Sequence, residues 1–508
     1  MGIGTMSKDL VIGVDCSTTA SKAIVWDQSG RAVATARRTY ELDHVRSGWV
    51  EQNATDWWTA TAAAIHDAVA QVGGDRIAAI AITQQRETFV CLDSTGNSIR
   101  PAMTWMDMRA TAEVEAYGNA DVHRITGKPP NPTPAWYKLL WLKKHEPETI
   151  ARTAHVVDVA GYLIQKLTGE WATSWACADP LGLVDMQLFD YDENLLNMAG
   201  LDRSKVSRLL PPGAIAGLLT ASVAVELGLA QGVPIVIGAG DGQSASLGCN
   251  VTRPGRAFLN IGTGTVSGVY SEKYNHAMAY RTMSGPVPGT YILETFIGGG
   301  TQNIVWFVEQ LSGIDVSKLR PGETAEQLLE IAAAAVPDGS EGLLCLPYWS
   351  GAMSPYWDGH ARGAFVGLSG LHGKAHMYRA TLEAVALEQR LLMGGMEATT
   401  GSPIDEIVVV GGGARSTLWC QIIANVLGRS VRFAREREST SLGAGIHAAA
   451  AAGFYKDIRE AADAMSGVER SFEPDAESHA RYSGIFEAYR GIYPALKETF
   501  RLMAEKMP

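Results

Sequence analysis

Asp241 stands where a carboxylate can do chemistry: the β-branched run over residues 233–237 feeds it through Gly238-Ala-Gly240, and Gly242 follows. A carboxylate on a glycine-flanked turn at the C-terminal end of a strand can face a cleft, accept a hydroxyl proton and approach a metal. An Asx turn, or a cap for a helix over residues 243–247, explains the same residue. Asp15 lies at the exit of another apolar strand, directly before Cys16-Ser-Thr-Thr19, with Lys22 beyond. Small residues let backbone N–H groups approach an anion, and the hydroxyls of Ser17, Thr18 and Thr19 add donors, so this turn suits phosphate. A carboxylate there suits hydrated Mg²⁺. Taken alone, the hairpin is also an ordinary capped turn. A second hairpin of the same kind, with Gly262, Thr263, Gly264 and Thr265 at its turn, shifts the balance toward a nucleotide tail gripped from two sides.

Further residues could complete such a site. Arg86 and Glu87 follow the strand expected over residues 77–83, and Trp105-Met-Asp-Met-Arg109 adds an aromatic plate at Trp105 beside a carboxylate at Asp107. Polyols are bound by charged groups on vicinal hydroxyls and an aromatic face under the C–H side, although solvated surface pairs account for isolated Arg-Glu neighbours too. Gly411-Gly-Gly-Ala-Arg-Ser416 joins a β-branched strand to a helix, and Gly298-Gly-Gly-Thr301 opens another. Glycines at a helix N-terminus let a ribose or flat ring lie against the backbone, and a tight strand-to-helix connection needs them equally. Gly370-Leu-His-Gly-Lys374 imitates a P-loop with the wrong glycine spacing and with Ala375 where a metal-binding hydroxyl belongs. No strand is followed by a dinucleotide-binding glycine pattern.

The elements needed to place these residues recur in both halves. The first half reads as hairpin, strand (32–40), helix (55–72, capped by Thr55-Asp56) and strand (77–83). The second reads as hairpin, strand (290–295), helix (379–393), strand (407–410) and helix (417–426). Residues 101–210 read as a more irregular, cleft-forming insertion. A chain of 508 residues exceeds what one hydrophobic core supports, so two α/β domains of about 250 residues are expected, at 8–255 and 256–495. With 46% apolar and 19% charged residues, disorder is not the default. A net charge of −11 argues against a nucleic-acid groove. The absence of an apolar run of about 18 residues argues against a membrane span. Six scattered cysteines without metal-ligand spacing read as reduced residues of a cytoplasmic protein. A symmetric homodimer is the commonest assembly for such chains, and the Gly/Thr/Ser-rich segment before Lys8 is given no structural role.

In order and content, GVDCSTTASK, GWVEQ, TQQRETFVCLD, TWMDMR, GAGDGQSASLG, NIGTGT, PYWDGHARGAFVGL, VVGGGARSTLWCQIIANVLG and ESTSLGAG resemble the FGGY carbohydrate kinases. The resemblance implies two actin-like (ribonuclease H-like) ATPase domains, each a mixed five-stranded sheet flanked by helices, with ATP in the cleft between them. It implies Asp241 as catalytic base, with Asp15 and Asp241 nearest Mg²⁺. Ser17, Thr18, Thr19, Lys22, Gly262, Thr263, Gly264, Thr265 and Gly300 would surround the phosphates. Gly412, Gly413 and Ala414 would support the adenosine, and Arg86, Glu87, Trp105, Asp107 and Asp241 would contact the sugar. Arg86-Glu87 is similar to glycerol kinases, but Gly242 and Thr133 replace larger residues of that group and imply a roomier pocket. The segments 137–142 and 411–419 look more like xylulose kinases. The expected activity is transfer of the ATP γ-phosphoryl group to a primary hydroxyl of a ketose or sugar alcohol, a pentulose such as xylulose being favoured over glycerol. The competing class is an actin-like ATPase that changes conformation or assembles without a sugar acceptor.

Overall fold

The computed structural model describes residues 8–506; the segment before Lys8 lies outside the described residues. The first sheet contains β1 (Leu10–Cys16), β2 (Ala20–Trp26), β3 (Ala32–Thr39), β4 (Ile77–Gln84), β5 (Ile215–Leu218) and β6 (Pro234–Gly240), in spatial order β5-β6-β4-β1-β2-β3. β1 and β4 are buried almost along their whole length, which is why they read as continuous apolar runs rather than alternating ones. β3, with Arg37 and Arg38, is an exposed edge, where charge discourages pairing with another chain.

The second sheet contains β7 (Arg256–Ile261), β8 (Thr265–Ser271), β9 (Arg281–Ser284), β10 (Tyr291–Ile297), β11 (Glu406–Val410), β12 (Ser430–Ala434) and β13 (Val468–Phe472). Its order is β9-β10-β8-β7-β11-β12-β13. Within each sheet five strands follow one plan. In the first, β1 pairs antiparallel with β2 and β2 with β3, while β4 lies parallel to β1 and β6 parallel to β4. In the second, β7, β8, β10, β11 and β12 repeat those relations. The sheets are wider than the expected five strands because β5, β9 and β13 add antiparallel partners at their edges, covering backbone groups that would otherwise stay unpaired.

Helix α1 (Ala54–Ala70) starts one residue before the expected Thr55: Asn53 is its cap, and the Asn53 side chain accepts the Thr55 N–H. α2 (Asp241–Gly248) follows β6 directly, and α3 (Thr301–Gln310) opens after the Gly298-Gly-Gly turn. α4 (Lys374–Thr400) is far longer than expected, running through Gly394-Gly395, because its buried face packs along the second core. The stretch expected to be irregular has a core of its own, built around Phe89, Trp136, Leu139, Leu183 and Leu195. Beside it, residues 43–46, 49–52, 89–92, 102–103 and 155–158 form a five-stranded sheet.

The chain then crosses back. α5 (Thr417–Leu427) packs in the second core, whereas α6 (Ser439–Ala451) and α7 (Ile458–Met465) share a core with Val11, Ile24, Trp26, Ala79 and Val236 of the first sheet. The approach is backbone to backbone: a Cβ on Gly13 would lie 2.1 Å from the Ser441 carbonyl oxygen, and one on Gly443 1.9 Å from that of Ser244. The proposed boundary near residue 255 therefore falls between α2 and β7, while the 439–465 segment returns to the first lobe. No helix among the described residues is long and apolar enough to cross a membrane, and all six cysteines are buried and unpaired with one another.

Candidate active site

Three adjacent parallel strands bring the first group of residues to one edge. In register, Cys16 of β1 and Gly240 of β6 both lie beside Gln84 of β4. Asp15, Arg86 and Asp241 therefore gather at the C-terminal ends of these strands, where open α/β sheets form their crevices. The turn after β1 is closed by the Ser17 N–H and the Ser17 hydroxyl, both donating to the Ala20 carbonyl at 2.9 Å. Asp15 Oδ1 is buried without a hydrogen-bond partner. Burial, then the negative charge of Asp241, pushes the Asp15 carboxyl up to about 7, against the pull of Lys22. Lys22 pairs with Glu438 at 2.6 Å, just before α6.

That orphaned oxygen beside a second carboxylate suits a cation. No cluster of three or more His, Cys, Asp or Glu side chains able to hold one exists among the described residues. The donor set therefore fits Mg²⁺ rather than a caged ion, because Mg²⁺ keeps several waters and takes one or two carboxylates plus phosphate oxygens.

The second sheet presents a matching edge. Asn260 of β7 lies beside Val410 of β11, which places the turn with Gly262, Thr263, Gly264 and Thr265 next to the Gly411-Gly-Gly-Ala414 turn. The start of α3 braces the first of these: Thr301 donates from its N–H (2.8 Å) and hydroxyl (2.9 Å) to the Gly262 carbonyl. A Cβ on Gly300 would stand 2.6 Å from the Gly262 oxygen and 2.7 Å from that of Thr263, so glycine is needed for this contact. In the second turn, Gly411 has φ +90° and abuts Asn260, Gly413 faces Ile261 and Trp419, and Ala414 is buried. Only Gly412 faces open space: a methyl group in place of its hydrogen would meet nothing within 4 Å. Gly412→Val should accordingly leave thermal stability unchanged and raise the KM for ATP about tenfold or more if adenosine lies on this turn; an unchanged KM would remove the nucleotide from it.

Arg86 bridges the two lobes. Its Nε forms an ion pair with Asp241 at 2.8 Å and its NH1 donates to Glu294 on β10 at 2.8 Å; Arg281 on β9 then contacts Glu294 at 2.5 Å and Glu87 at 2.9 Å. Glu87 has φ +57°, a left-handed conformation costing about 1–2 kcal/mol for a non-glycine residue that the Arg281 pairing helps to hold. The Asp241 side chain keeps 41% of its surface exposed. Burial raises its pKa above the ordinary carboxylate value, with Arg86 opposing and Glu87 reinforcing the shift. Trp105 ties the segment after β4 to the phosphate-type turn, its backbone N–H donating to the Thr88 hydroxyl at 3.1 Å and its indole N–H to the Thr18 hydroxyl at 2.9 Å. Asp107 is fully buried, and both its oxygens are engaged: Oδ1 and Oδ2 by Arg109 (2.8 and 2.6 Å), Oδ2 also by the Val50 N–H (2.8 Å).

The roomier pocket expected at Gly242 is absent there. A Cβ on Gly242 would lie 2.7 Å from Glu294 Oε2 and 3.1 Å from Arg86 Cζ, so the space is filled by an ion pair rather than left for substrate. Arg281 and Glu294 escaped the motif reading. Their only local signal is a charge set in the β-forming runs Arg281-Thr-Met-Ser284 and Tyr291-Ile-Leu-Glu-Thr-Phe-Ile297, where a lone charged residue needs a partner.

Comparison with known proteins identifies the family. Residues 10–248 match the N-terminal domain, and residues 257–452 the C-terminal domain, of the FGGY family of carbohydrate kinases. The chain is 27% identical to a xylulose kinase of Staphylococcus epidermidis over 98% of this chain and 99% of that protein. It is 31% identical to a glycerol kinase of Aromatoleum aromaticum over 95% and 98% of the two chains. The crystal structure of a gluconate kinase from Lactobacillus acidophilus superposes with a TM-score of 0.91 at 26% identity, covering 97% of this chain and 99% of that one. Two actin-like ATPase domains are thus the fold, and sugar kinases take the place of the competing assembly class. With both domain models matched across the two lobes, the chain belongs to the FGGY family of carbohydrate kinases, phosphotransferases that act on an alcohol group with ATP as donor.

Proposed function

We propose that the chain phosphorylates a primary hydroxyl of a pentulose such as xylulose. The observation that carries this reading is the position of Asp241, which lies at the strand ends beside the phosphate-type turn of residues 15–19 and is held by Arg86. Asp241 orients the acceptor hydroxyl and takes its proton late, because a loose phosphoryl-transfer transition state asks little of the base. Ser17, Thr18, Thr19 and Lys22 surround the phosphates from one lobe, and Gly262, Thr263, Gly264 and Thr265 from the other. Lys22 must exchange Glu438 for phosphate to do so. Gly300 shapes the second turn from behind, and Gly412, Gly413 and Ala414 support the adenosine. Asp15 and Asp241 would hold Mg²⁺, which supplies charge neutralisation on the phosphoryl oxygens. Arg86, Glu87 and Trp105 contact the acceptor, while Asp107 acts one step back, fixing Arg109 and the turn that carries Trp105. Lobe closure keeps water from competing as acceptor. Six buried thiols support a reducing, cytoplasmic setting.

The xylulose kinase relative and the 411–419 segment support a pentulose. Arg86-Glu87 and the glycerol kinase relative support glycerol as the second reading. ADP release from ATP, measured with glycerol, xylulose, ribulose, erythritol and the common hexuloses, separates them. Xylulose or ribulose should stimulate most and ADP release without acceptor should be low; glycerol as best acceptor would install the second reading, and stimulation by none would remove both.

A further inference from the structure

Arg86 beside Asp241, and Arg281 one ion pair further on, are each bracketed by carboxylates. Arg86 lies between Asp241 and Glu294, and Arg281 between Glu294 and Glu87. The Glu294 side chain is 1% exposed and that of Arg86 10%. Nearby ammonium groups are also committed: Lys128 to Asp179 (3.1 Å) and the Thr282 carbonyl (2.8 Å), and buried Lys138 to the Thr133 carbonyl (2.7 Å). We infer that the acceptor is an uncharged polyol or ketose, and that Glu294 and Arg281 of the second lobe are the residues that make this site reject sugar acids. The inference rests on the kinase reading of the same site and assigns the residues that exclude sugar acids from it.

The physical reason is charge balance among groups that, Asp241 apart, are largely buried. A sugar carboxylate has no free cation to meet: the two guanidiniums and Lys128 are held by carboxylates, and Lys138, on the Thr133 carbonyl, is fully buried. To claim Arg86 it must displace Glu294, leaving a buried carboxylate with only Arg281 beside it, or else sit among Asp241, Glu87 and Glu294 as a fourth like charge. A hydroxyl has neither difficulty. It donates to a carboxylate oxygen and accepts from a guanidinium N–H not used in the ion pairs, so the balance stays intact. Gly242 belongs to the same device, because any side chain there would collide with the Arg86–Glu294 pair. The chain also ties selectivity to closure: Arg86, Glu87 and Asp241 come from the first lobe and Glu294 and Arg281 from the second, so the bracketed arrangement exists only with the lobes together.

The test compares kcat/KM for xylulose, glycerol and gluconate in the wild type, Glu294→Gln and Arg281→Met, with calorimetric binding of the same acceptors in the presence of the non-hydrolysable analogue AMP-PNP. Gluconate should fall at least about a hundred-fold below the best neutral acceptor in the wild type. Glu294→Gln, which frees positive charge, should narrow that ratio about tenfold; Arg281→Met, which removes it, should not narrow it, and carries the test if the glutamine variant fails to fold. Gluconate within about tenfold of the best neutral acceptor, or Glu294→Gln lowering every acceptor in equal proportion, overturns the inference. If no acceptor is turned over, the kinase reading fails separately. The binding data then decide: preference for a neutral polyol over gluconate sustains the inference, and gluconate binding as tightly, or neither binding, ends it.

Discussion

Asp241→Asn should lower kcat by about a hundred- to ten-thousand-fold, the usual loss when a positioned general base is removed, while the KM for ATP changes little. Asparagine keeps the shape of the side chain and an oxygen for the Arg86 Nε, now 2.8 Å away. Arg86 also retains Glu294, so the cross-lobe chain survives and the loss is one of chemistry rather than folding. What asparagine cannot do is accept the acceptor proton or contribute a negative charge next to Asp15. At 1.36 kcal/mol per tenfold, the expected loss is roughly 3–5 kcal/mol of transition-state stabilisation. Single-turnover measurements at saturating ATP, with nucleotide binding followed separately, read the effect. Full acceptor-dependent turnover in this variant would take the role of base away from Asp241.

The largest stability effect should come from a residue with no chemistry at all. Gly443 lies in α6 where a Cβ would stand 1.9 Å from the Ser244 carbonyl oxygen of α2, a backbone atom, and the Cβ position is itself fixed by the backbone. A side chain there cannot be accommodated by a rotamer change, so the helices must separate. α2 leads from the first sheet into the second and α6 leads back, so separation disturbs the hinge as well as the core. Gly443→Val should cost about 3 kcal/mol, the upper end of ordinary overpacking, and lower Tm by about 10 °C for a lobe of this size. Gly394→Ala in α4 is the control: its Cβ would meet nothing within 4 Å, and removing an interior helix glycine should stabilise by about 1 kcal/mol. Equal melting temperatures for the two variants would contradict the helix contact.

The local elements were readable because each is decided by near neighbours. The continuous apolar runs of β1 and β4, the small-residue turn of residues 16–19 and the Gly411-Gly-Gly turn all carry their signal within about ten residues. Boundaries slipped where a neighbour in space took over. α4 extends past Gly394-Gly395 because packing on the second core outweighs the local cost of two glycines. The 101–210 region reads as irregular because its strands are short: residues 102–103 and 155–158 pair with 49–52 and 89–92 outside it, and 172–174 with 208–210 and 184–185 with 190–191 form separate two-stranded pairs. Asp107 illustrates the same point in the site: beside Trp105 it looks like a ligand for hydroxyls, but the fold turns its carboxylate onto Arg109 and the Val50 N–H.

From the sequence by itself came two α/β lobes, Asp15 and Asp241 at strand ends and the turns suited to phosphate, because strand, turn and helix signals are short-range. The kinase class followed from the resemblance of the ordered motifs to the FGGY family. Only the tertiary structure decided who partners whom across the lobes. Arg86 meets Glu294 at a separation of 208 residues and Arg281 meets Glu87 at 194, and α6 folds back onto the first sheet. No local pattern encodes such pairings: a buried charge demands an opposite charge, but which one reaches it is settled only when both lobes have packed.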